Sequence, residues 1–119
     1  MVLVDTSVWV VHFRQGNDRL VTALDKGEVV SHPFIIGELA CGNLKNRREI
    51  LGLLQSLPRA ASVSDEELMR FIELRRLMGV GLGYIDVHLL ASALISGVPL
   101  WSFDRTLNRT AEKLNIVYL

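Results

Sequence analysis

Four acidic residues of this chain lie beside strongly apolar sequence, where acids are rare. Asp5 follows Val-Leu-Val, Glu38 lies in Phe-Ile-Ile-Gly-Glu-Leu-Ala, Asp86 lies in Tyr-Ile-Asp-Val-His-Leu-Leu, and Asp104 follows Trp-Ser-Phe. The remaining Asp and Glu residues, of 13 in all, lie at predicted helix starts, in polar sequence or near basic residues at helical spacing. Carboxylates are seldom buried unless they are paired or bound to a cation. These four are therefore the candidates for chemistry.

Carboxylates that converge without basic partners repel one another, unless hard divalent cations occupy the space between them. A ligand set made only of oxygen atoms favours Mg²⁺ or Mn²⁺ over zinc. The chemistry that such a site serves best is hydrolysis of a phosphodiester, in which the metal activates water and stabilises the developing oxygen charges. We therefore predict that Asp5, Glu38, Asp86 and Asp104 are both the metal ligands and the catalytic residues.

The elements that must position these acids can be predicted from the hydrophobic pattern. Val2-Leu3-Val4 is typical of a short strand, and Thr6 or Ser7 can cap a following helix that runs to Arg14. The next segments are a helix over about 18–26, a strand over 28–32 and a helix that starts at Pro33. Glu38 and Asp86 are expected on the first turns of helices that rim a common crevice.

The second half of the chain continues the alternation of helices and strands. Ser64 and Glu67 form a capping-box pattern that opens a helix to about Met78, and glycines at 79, 81 and 83 form a flexible joint. The other predicted elements are helices over 46–54, 84–96 and 106–114, and strands over 60–63, 99–102 and 116–118.

This order of elements predicts an α/β fold with a central parallel sheet that is flanked by helices on both faces. A length of 119 residues suits a single domain over 1–119. Asp5 and Asp104 each follow a predicted strand. In open parallel sheets, ligands bind in the crevice outside the carboxyl ends of the strands. We expect the acids to meet there.

Composition limits the function classes. Lys plus Arg equals Asp plus Glu at 13 each, which argues against binding nucleic acid or membrane by bulk positive charge. Cys41 is the single cysteine, so an intrachain disulfide and a cysteine-rich zinc site are excluded. The first residues do not resemble a signal peptide, and no apolar run is long enough to span a bilayer. We expect a cytoplasmic protein without membrane association.

The acids also lie in recognisable motifs. Val-Asp-Thr-Ser-Val around Asp5, the Glu-Leu pair at Glu38, Asp-Val-His-Leu-Leu-Ala-Ser-Ala from Asp86, and Ser-Phe-Asp ending at Asp104 resemble the motifs of PIN domains, in particular VapC-type toxins. The resemblance covers the whole chain. It implies a Rossmann-like fold, Mg²⁺ or Mn²⁺ dependence, endoribonuclease activity on RNA, a homodimer and a cognate antitoxin. The chain departs from the pattern at His88, where an aliphatic residue is more frequent, and at Leu107, where Phe is common.

Three further residues are candidates for substrate binding. Ser7 either caps a helix or holds a metal-coordinated water or the phosphate. Arg105 and Arg109, with Lys113, recur at helical spacing after Asp104 and form either a solvated face or a patch that follows RNA phosphates. His88 lies two residues from Asp86 and so points to another side of the helix, which favours a packing role.

Rival functions make different demands on the sequence. A receiver-type phospho-acceptor needs adjacent acids after the first strand and a lysine after a late strand, and neither is present. A haloacid-dehalogenase-like phosphatase needs a second Asp where Ser7 stands. Two alternatives within the PIN fold stay open, namely a nuclease of RNA maturation without an antitoxin and a catalytically silent binding module.

Overall fold

The computed structural model describes residues 1–119 and has a three-stranded parallel sheet in the order β2-β1-β3. The strands are β1 (Val2–Val4), β2 (Val29–Val30) and β3 (Leu100–Trp101). In the central strand, Leu3 lies beside Val30 on one side and Leu100 on the other. Isolated parallel bridges, Ser31 with Arg59 and Leu100 with Val117, extend the sheet at both edges.

Seven helices connect and cover the strands. Their bounds are α1 (Thr6–Gln15), α2 (Asp18–Asp25), α3 (Pro33–Cys41), α4 (Arg47–Ser56), α5 (Asp65–Arg75), α6 (Tyr84–Ser96) and α7 (Arg105–Lys113). Ser64 and Glu67 form the predicted capping box of α5. None of these helices combines the length and the apolar character that crossing a bilayer requires.

The burial of β1 shows that the sheet is covered on both faces. Val2, Leu3 and Val4 are each at most 1% exposed, although successive side chains of a strand point to opposite faces. All residues of β2 and β3 are buried as well. Strands that are apolar throughout belong to parallel sheets packed between helices. The predicted α/β architecture is confirmed.

The predicted strands over 60–63 and 116–118 are wrong, because each shrinks to a single bridge. The first pairing lies earlier in the chain, where Ser31 donates its N–H to the Pro58 carbonyl and Ala60 donates to Ser31. It ends there because the next residue of the partner that would donate to this segment is Pro33, which has no N–H and begins α3. The second pairing is limited to Leu100 because β3 is only two residues long.

Two predicted helix boundaries also differ. Helix α5 ends at Arg75 instead of about Met78, since Arg76 adopts a left-handed conformation with φ of 52°. Asp5, not Thr6 or Ser7, is the N-cap residue of α1, and its side chain makes no capping hydrogen bond. The carboxylate of Asp5 is therefore available for other contacts.

Candidate active site

The site is built where β1 and β3 end side by side. Asp5 follows β1 directly, and its backbone N–H donates to the Trp101 carbonyl at 2.8 Å. Ser102 follows β3 in the same way. Because parallel strands end at the same edge of a sheet, residues almost a hundred positions apart in sequence become neighbours there. This edge is the crevice that the sequence predicts.

Two hydroxyl groups hold Asp5, which is only 7% exposed. Ser7 Oγ donates to Asp5 Oδ2 at 2.8 Å, and Ser102 Oγ donates to the same oxygen at 2.7 Å. The two serines also accept from the following loop, Ser7 from Phe103 N–H and Ser102 from Asp104 N–H, each at 3.0 Å. This network fixes Asp5 against the segment that carries Asp104.

Glu38 comes to the same edge on α3. It lies in the second turn of that helix and not, as predicted, in the first. Its side chain is exposed, and Glu38 Oε1 accepts from Thr6 Oγ1 at 2.7 Å. Since Thr6 adjoins Asp5, this hydrogen bond positions Glu38 next to the buried acid.

Asp86 lies on the first turn of α6, as predicted, and is half-buried. Its Oδ2 accepts from Gly83 N–H at 3.1 Å. Burial raises the pKa of Asp86, and the negative charges of Asp5, Asp104 and Glu38 raise it further, against the opposing effect of the Gly83 hydrogen bond. No basic side chain contributes to this shift. The charges of the other three acids thus all act on Asp86, and we name the four residues the acid cluster.

Asp104 is exposed, as Glu38 is, and it is the N-cap of α7. Its Oδ1 accepts from Leu107 N–H at 2.9 Å. An acid at a helix N-terminus is favourable because it satisfies a free N–H group and the helix dipole. Asp104 thus has a structural role in addition to its place beside the other acids.

All four carboxylates share one arrangement: one oxygen is hydrogen-bonded within the chain and the other is not. The bonded oxygens are Asp5 Oδ2, Glu38 Oε1, Asp86 Oδ2 and Asp104 Oδ1. Such bonds orient a carboxylate and leave its second oxygen for a ligand. The chain contains no ready-made set of three side chains that could hold a metal ion. The donors fit Mg²⁺ or Mn²⁺ nonetheless, because Mg²⁺ keeps several waters, so that some of these carboxylates would bind it directly and others through a water.

The other residues that the sequence singles out, on α6 and α7, lie outside the acid cluster. His88 is buried between the rings of Phe34 and Tyr84, whose centroids lie 4.8 Å and 4.7 Å from its own, in keeping with a packing role. Arg105 is exposed at the start of α7, directly after Asp104, and Arg109 lies one turn further on. Lys113 follows near the end of the same helix.

Sequence reasoning missed two residues that position the acids. Thr6 orients Glu38 and Ser102 orients Asp5. Both lie inside the motifs quoted above, Val-Asp-Thr-Ser-Val and Ser-Phe-Asp. A hydroxyl next to a candidate ligand was the available signal, and only Ser7 was singled out by it.

A three-layer α/β fold with acids gathered at the strand ends defines the class of protein, and comparison with known families agrees. The chain matches the PIN domain over residues 2–113 and belongs to the PIN-domain family. It is also 45% identical over 117 residues to Ribonuclease VapC32 of Mycobacterium tuberculosis, strain CDC 1551 / Oshkosh, covering 98% of this chain and 94% of that protein. The same values hold for Ribonuclease VapC32 of strain ATCC 25618 / H37Rv. Within the PIN family, the chain is therefore of the VapC type.

Proposed function

We propose that this protein is a Mg²⁺- or Mn²⁺-dependent endoribonuclease that hydrolyses phosphodiester bonds of RNA and acts as the toxin of a toxin–antitoxin pair. The observation that carries the proposal is the acid cluster, in which each of four carboxylates keeps one oxygen free. A relative named as a ribonuclease supports the choice of substrate. When bound, the metal supplies Lewis-acid activation of water and of the phosphate.

The chain's own residues have separate tasks in this proposal. Asp5, Glu38 and Asp86 are the main ligands, and Asp104, which also caps α7, is the outer one. Ser7 donates to Asp5 and accepts from Phe103 N–H, so we assign to it the positioning of Asp5 in addition to the predicted contact with substrate. Exposed Arg105 and Arg109 on α7 are the proposed contacts to RNA phosphates.

The test is cleavage of RNA by purified protein that has been freed of any partner. Total RNA is incubated with Mg²⁺, with Mn²⁺ and with EDTA, and the cleavage ends are mapped. We expect internal cuts that require the metal and disappear in Asp86→Asn. A matched control is Glu112→Gln, which removes an exposed acid of α7 outside the cluster and should cut like the wild type. Metal-independent cutting, or no cutting by the wild type, would contradict the proposal.

An apolar groove supports the proposed antitoxin partner. The groove has a volume of about 320 Å³ and lies between α1, α2 and α4, where Trp9, Phe13, Leu24 and Ile50 line it. Phe13 and Ile50 also line an adjoining cleft that contains Thr6 and Glu38. The groove thus leads to the acid cluster.

We propose that an apolar antitoxin segment lies in this groove and that a basic side chain, most readily Arg, reaches the acid cluster in place of the metal. Expression of the chain alone should then slow bacterial growth, and expression of Asp5→Asn should not. Equal harmlessness of the two proteins would count against the toxin role and leave the nuclease proposal standing.

We also propose that the protein works as a homodimer in the cytoplasm. Exposed apolar side chains on α5 and α6 support self-association, since Met69, Leu74 and Ile95 are 57%, 80% and 58% exposed. Light scattering of the wild type and of Leu74→Glu tests the dimer. A monomeric wild type would exclude it.

A further inference from the structure

A cleft of about 290 Å³ between the end of α5 and the outer face of α7 has an unusual lining. Arg75, Arg76, Arg109 and Lys113 contribute four cations to it, and no acidic side chain lines it. The chain as a whole has a formal net charge of zero, so this is a local concentration of positive charge. We name it the basic cleft.

The charges of the basic cleft are not used inside the protein. The arginines whose side chains donate hydrogen bonds within the chain are Arg19 and Arg47, which lie elsewhere. Arg76 also ends α5 in a left-handed conformation that a non-glycine residue seldom adopts. Like charges held close together without partners destabilise a fold unless an anion binds between them.

The basic cleft lies next to the acid cluster. Helix α7 begins after Asp104 and then carries Thr106, Arg109 and Lys113 along the cleft. At 1.5 Å per residue, Lys113 is about 13 Å along the helix axis from Asp104. On the other side, a Cβ atom at Gly81 would lie 3.4 Å from Thr106 Cγ2, and the same loop provides the Gly83 N–H that holds Asp86.

We propose that the basic cleft binds backbone phosphates of the RNA strand on one side of the cleaved bond. This inference rests on the proposed ribonuclease function. The acid cluster takes the phosphate to be cut, and the arginines and Lys113 take phosphates further along the same strand. Arginine guanidinium groups bind phosphate through paired N–H donors, and the hydroxyls of Thr106 and Thr110 add further donors in the cleft. The binding is independent of base sequence, because phosphates carry no sequence information.

The experiment measures binding of a labelled single-stranded RNA by fluorescence anisotropy in EDTA, where cleavage cannot interfere, over a range of salt concentrations. The test variant is Arg75→Gln/Arg109→Gln/Lys113→Gln, which leaves the left-handed Arg76 intact. The matched control is Lys26→Gln/Arg48→Gln/Arg59→Gln, which removes the same charge from exposed positions outside the cleft. Circular dichroism verifies that both variants are folded.

We expect the test variant to bind RNA about tenfold more weakly and to lower the slope of log affinity against log salt by about 2, since each single-strand phosphate contact contributes about 0.7. The control should change either quantity much less. Equal effects in the two variants, or wild-type binding by the test variant, would overturn the inference. Wild-type RNA binding by the test variant with weakened binding of a glutamate-rich peptide would overturn it as well, in favour of an acidic protein segment. Tight RNA binding without cleavage in Mn²⁺ would remove the proposed activity and leave the cleft assignment standing.

Discussion

Helices α3 and α6 each contribute to two polar clusters, one of which is charged and the other neutral. Near the strand ends they carry Glu38 and Asp86 of the acid cluster. At the start of α3 and further along α6 lies a second group, His32, His88 and Ser92, which we name the histidine cluster and which is buried. Both clusters lie in apolar sequence, and their chemistry differs.

The histidine cluster is largely closed on itself and neutral. His32 Nδ1 accepts from Phe34 N–H at 3.0 Å, so its proton lies on Nε2, which donates to Ser92 Oγ at 3.1 Å. Burial, and next the proximity of His88, lowers the pKa of His32 to about 4. Burial also lowers the pKa of His88, whose Nε2 has no partner.

In the acid cluster, each carboxylate has an oxygen without a hydrogen bond, and negative charges raise the pKa of Asp86. In the histidine cluster, burial lowers the pKa of both histidines, so they are neutral at pH 7. Neutral groups that are buried and hydrogen-bonded cost little and fix helix positions. Charged groups that are crowded without counterions lower stability and persist for a ligand. The comparison teaches that burial alone does not mark a functional polar group. The charged groups of the acid cluster differ in that each keeps one oxygen without a hydrogen bond inside the chain.

The largest expected effect comes from removing one charge of the acid cluster. Asp5→Asn, Glu38→Gln and Asp86→Asn should each lower the RNA cleavage rate by about a thousandfold or more, as expected for loss of a central electrostatic contact. The fold should remain intact by circular dichroism. Full activity in any of the three would remove the acid cluster from catalysis.

Thermal stability gives a second test of the repulsion within the acid cluster. Asp86→Asn should raise the midpoint of thermal unfolding of the metal-free protein, because the raised pKa of Asp86 shows that its charge is unfavourable in the folded state. A lower midpoint would show that the repulsion is already relieved within the chain.

The histidine cluster should affect stability as a function of pH. His32 titrates at its ordinary pKa of 6.5 when unfolded and at about 4 when folded, so the unfolded state binds a proton that the folded state refuses between these values. The free energy of unfolding should therefore fall as pH drops from 6.5 towards 4, by about 2 to 3 kcal/mol from this group. His32→Asn keeps an N-cap acceptor and should remove this part of the decline. The free energy of unfolding is measured by denaturant titration at each pH. An equal decline in the wild type and in His32→Asn would refute the prediction.

Asp104→Asn should have a smaller effect than loss of the inner acids. Asp104 caps α7 and is the proposed outer ligand, and water can replace an outer ligand in part. We expect about a tenfold loss of cleavage rate that raised Mn²⁺ largely restores. Rates are measured against metal concentration beside Asp5→Asn. If Asp104→Asn is as inactive as Asp5→Asn at every Mn²⁺ concentration, Asp104 belongs with the inner ligands.

The smallest effect is expected at Arg105, which adjoins the acid cluster without facing the basic cleft. Arg105→Ala should weaken RNA binding a few-fold and reduce the salt slope by about 0.7, with unchanged metal affinity. Binding isotherms at several salt concentrations and metal titrations of the cleavage rate measure the two separately. A change in metal dependence would assign Arg105 to the metal site instead.

The elements with strong local signals could be predicted from sequence. Val2–Val4, the capping box at Ser64 and the apolar helix from Tyr84 depend on patterns within a few residues, and all three are confirmed. The edge pairings could not be predicted, because the 58–60 segment pairs with the backbone of Ser31, which is distant in sequence, and the pairing stops where Pro33 begins α3. Such partners are set by tertiary structure.

The candidate site divides in the same way. Apolar surroundings identified the acids, and the structure gathers them, while the metal itself stays a prediction. The positioning roles of Thr6 and Ser102 were not predicted, because a hydroxyl can make many local hydrogen bonds. Its role depends on which carboxylate the fold places beside it. The basic cleft combines Arg75 and Arg76 with Arg109 across two helices whose packing no local pattern specifies.

The order in which the chain is made bears on when it can act. Asp5 is synthesised 97 positions before Ser102, whose Oγ donates to Asp5 Oδ2, and the Asp5 N–H donates to the carbonyl of Trp101. Strand β1 is central, so it has no neighbour on that side until β3 has left the ribosome. Pairings this distant in sequence form late in folding. A ribosome that has not yet translated β3 therefore carries a nascent polypeptide in which the acid cluster is not yet assembled.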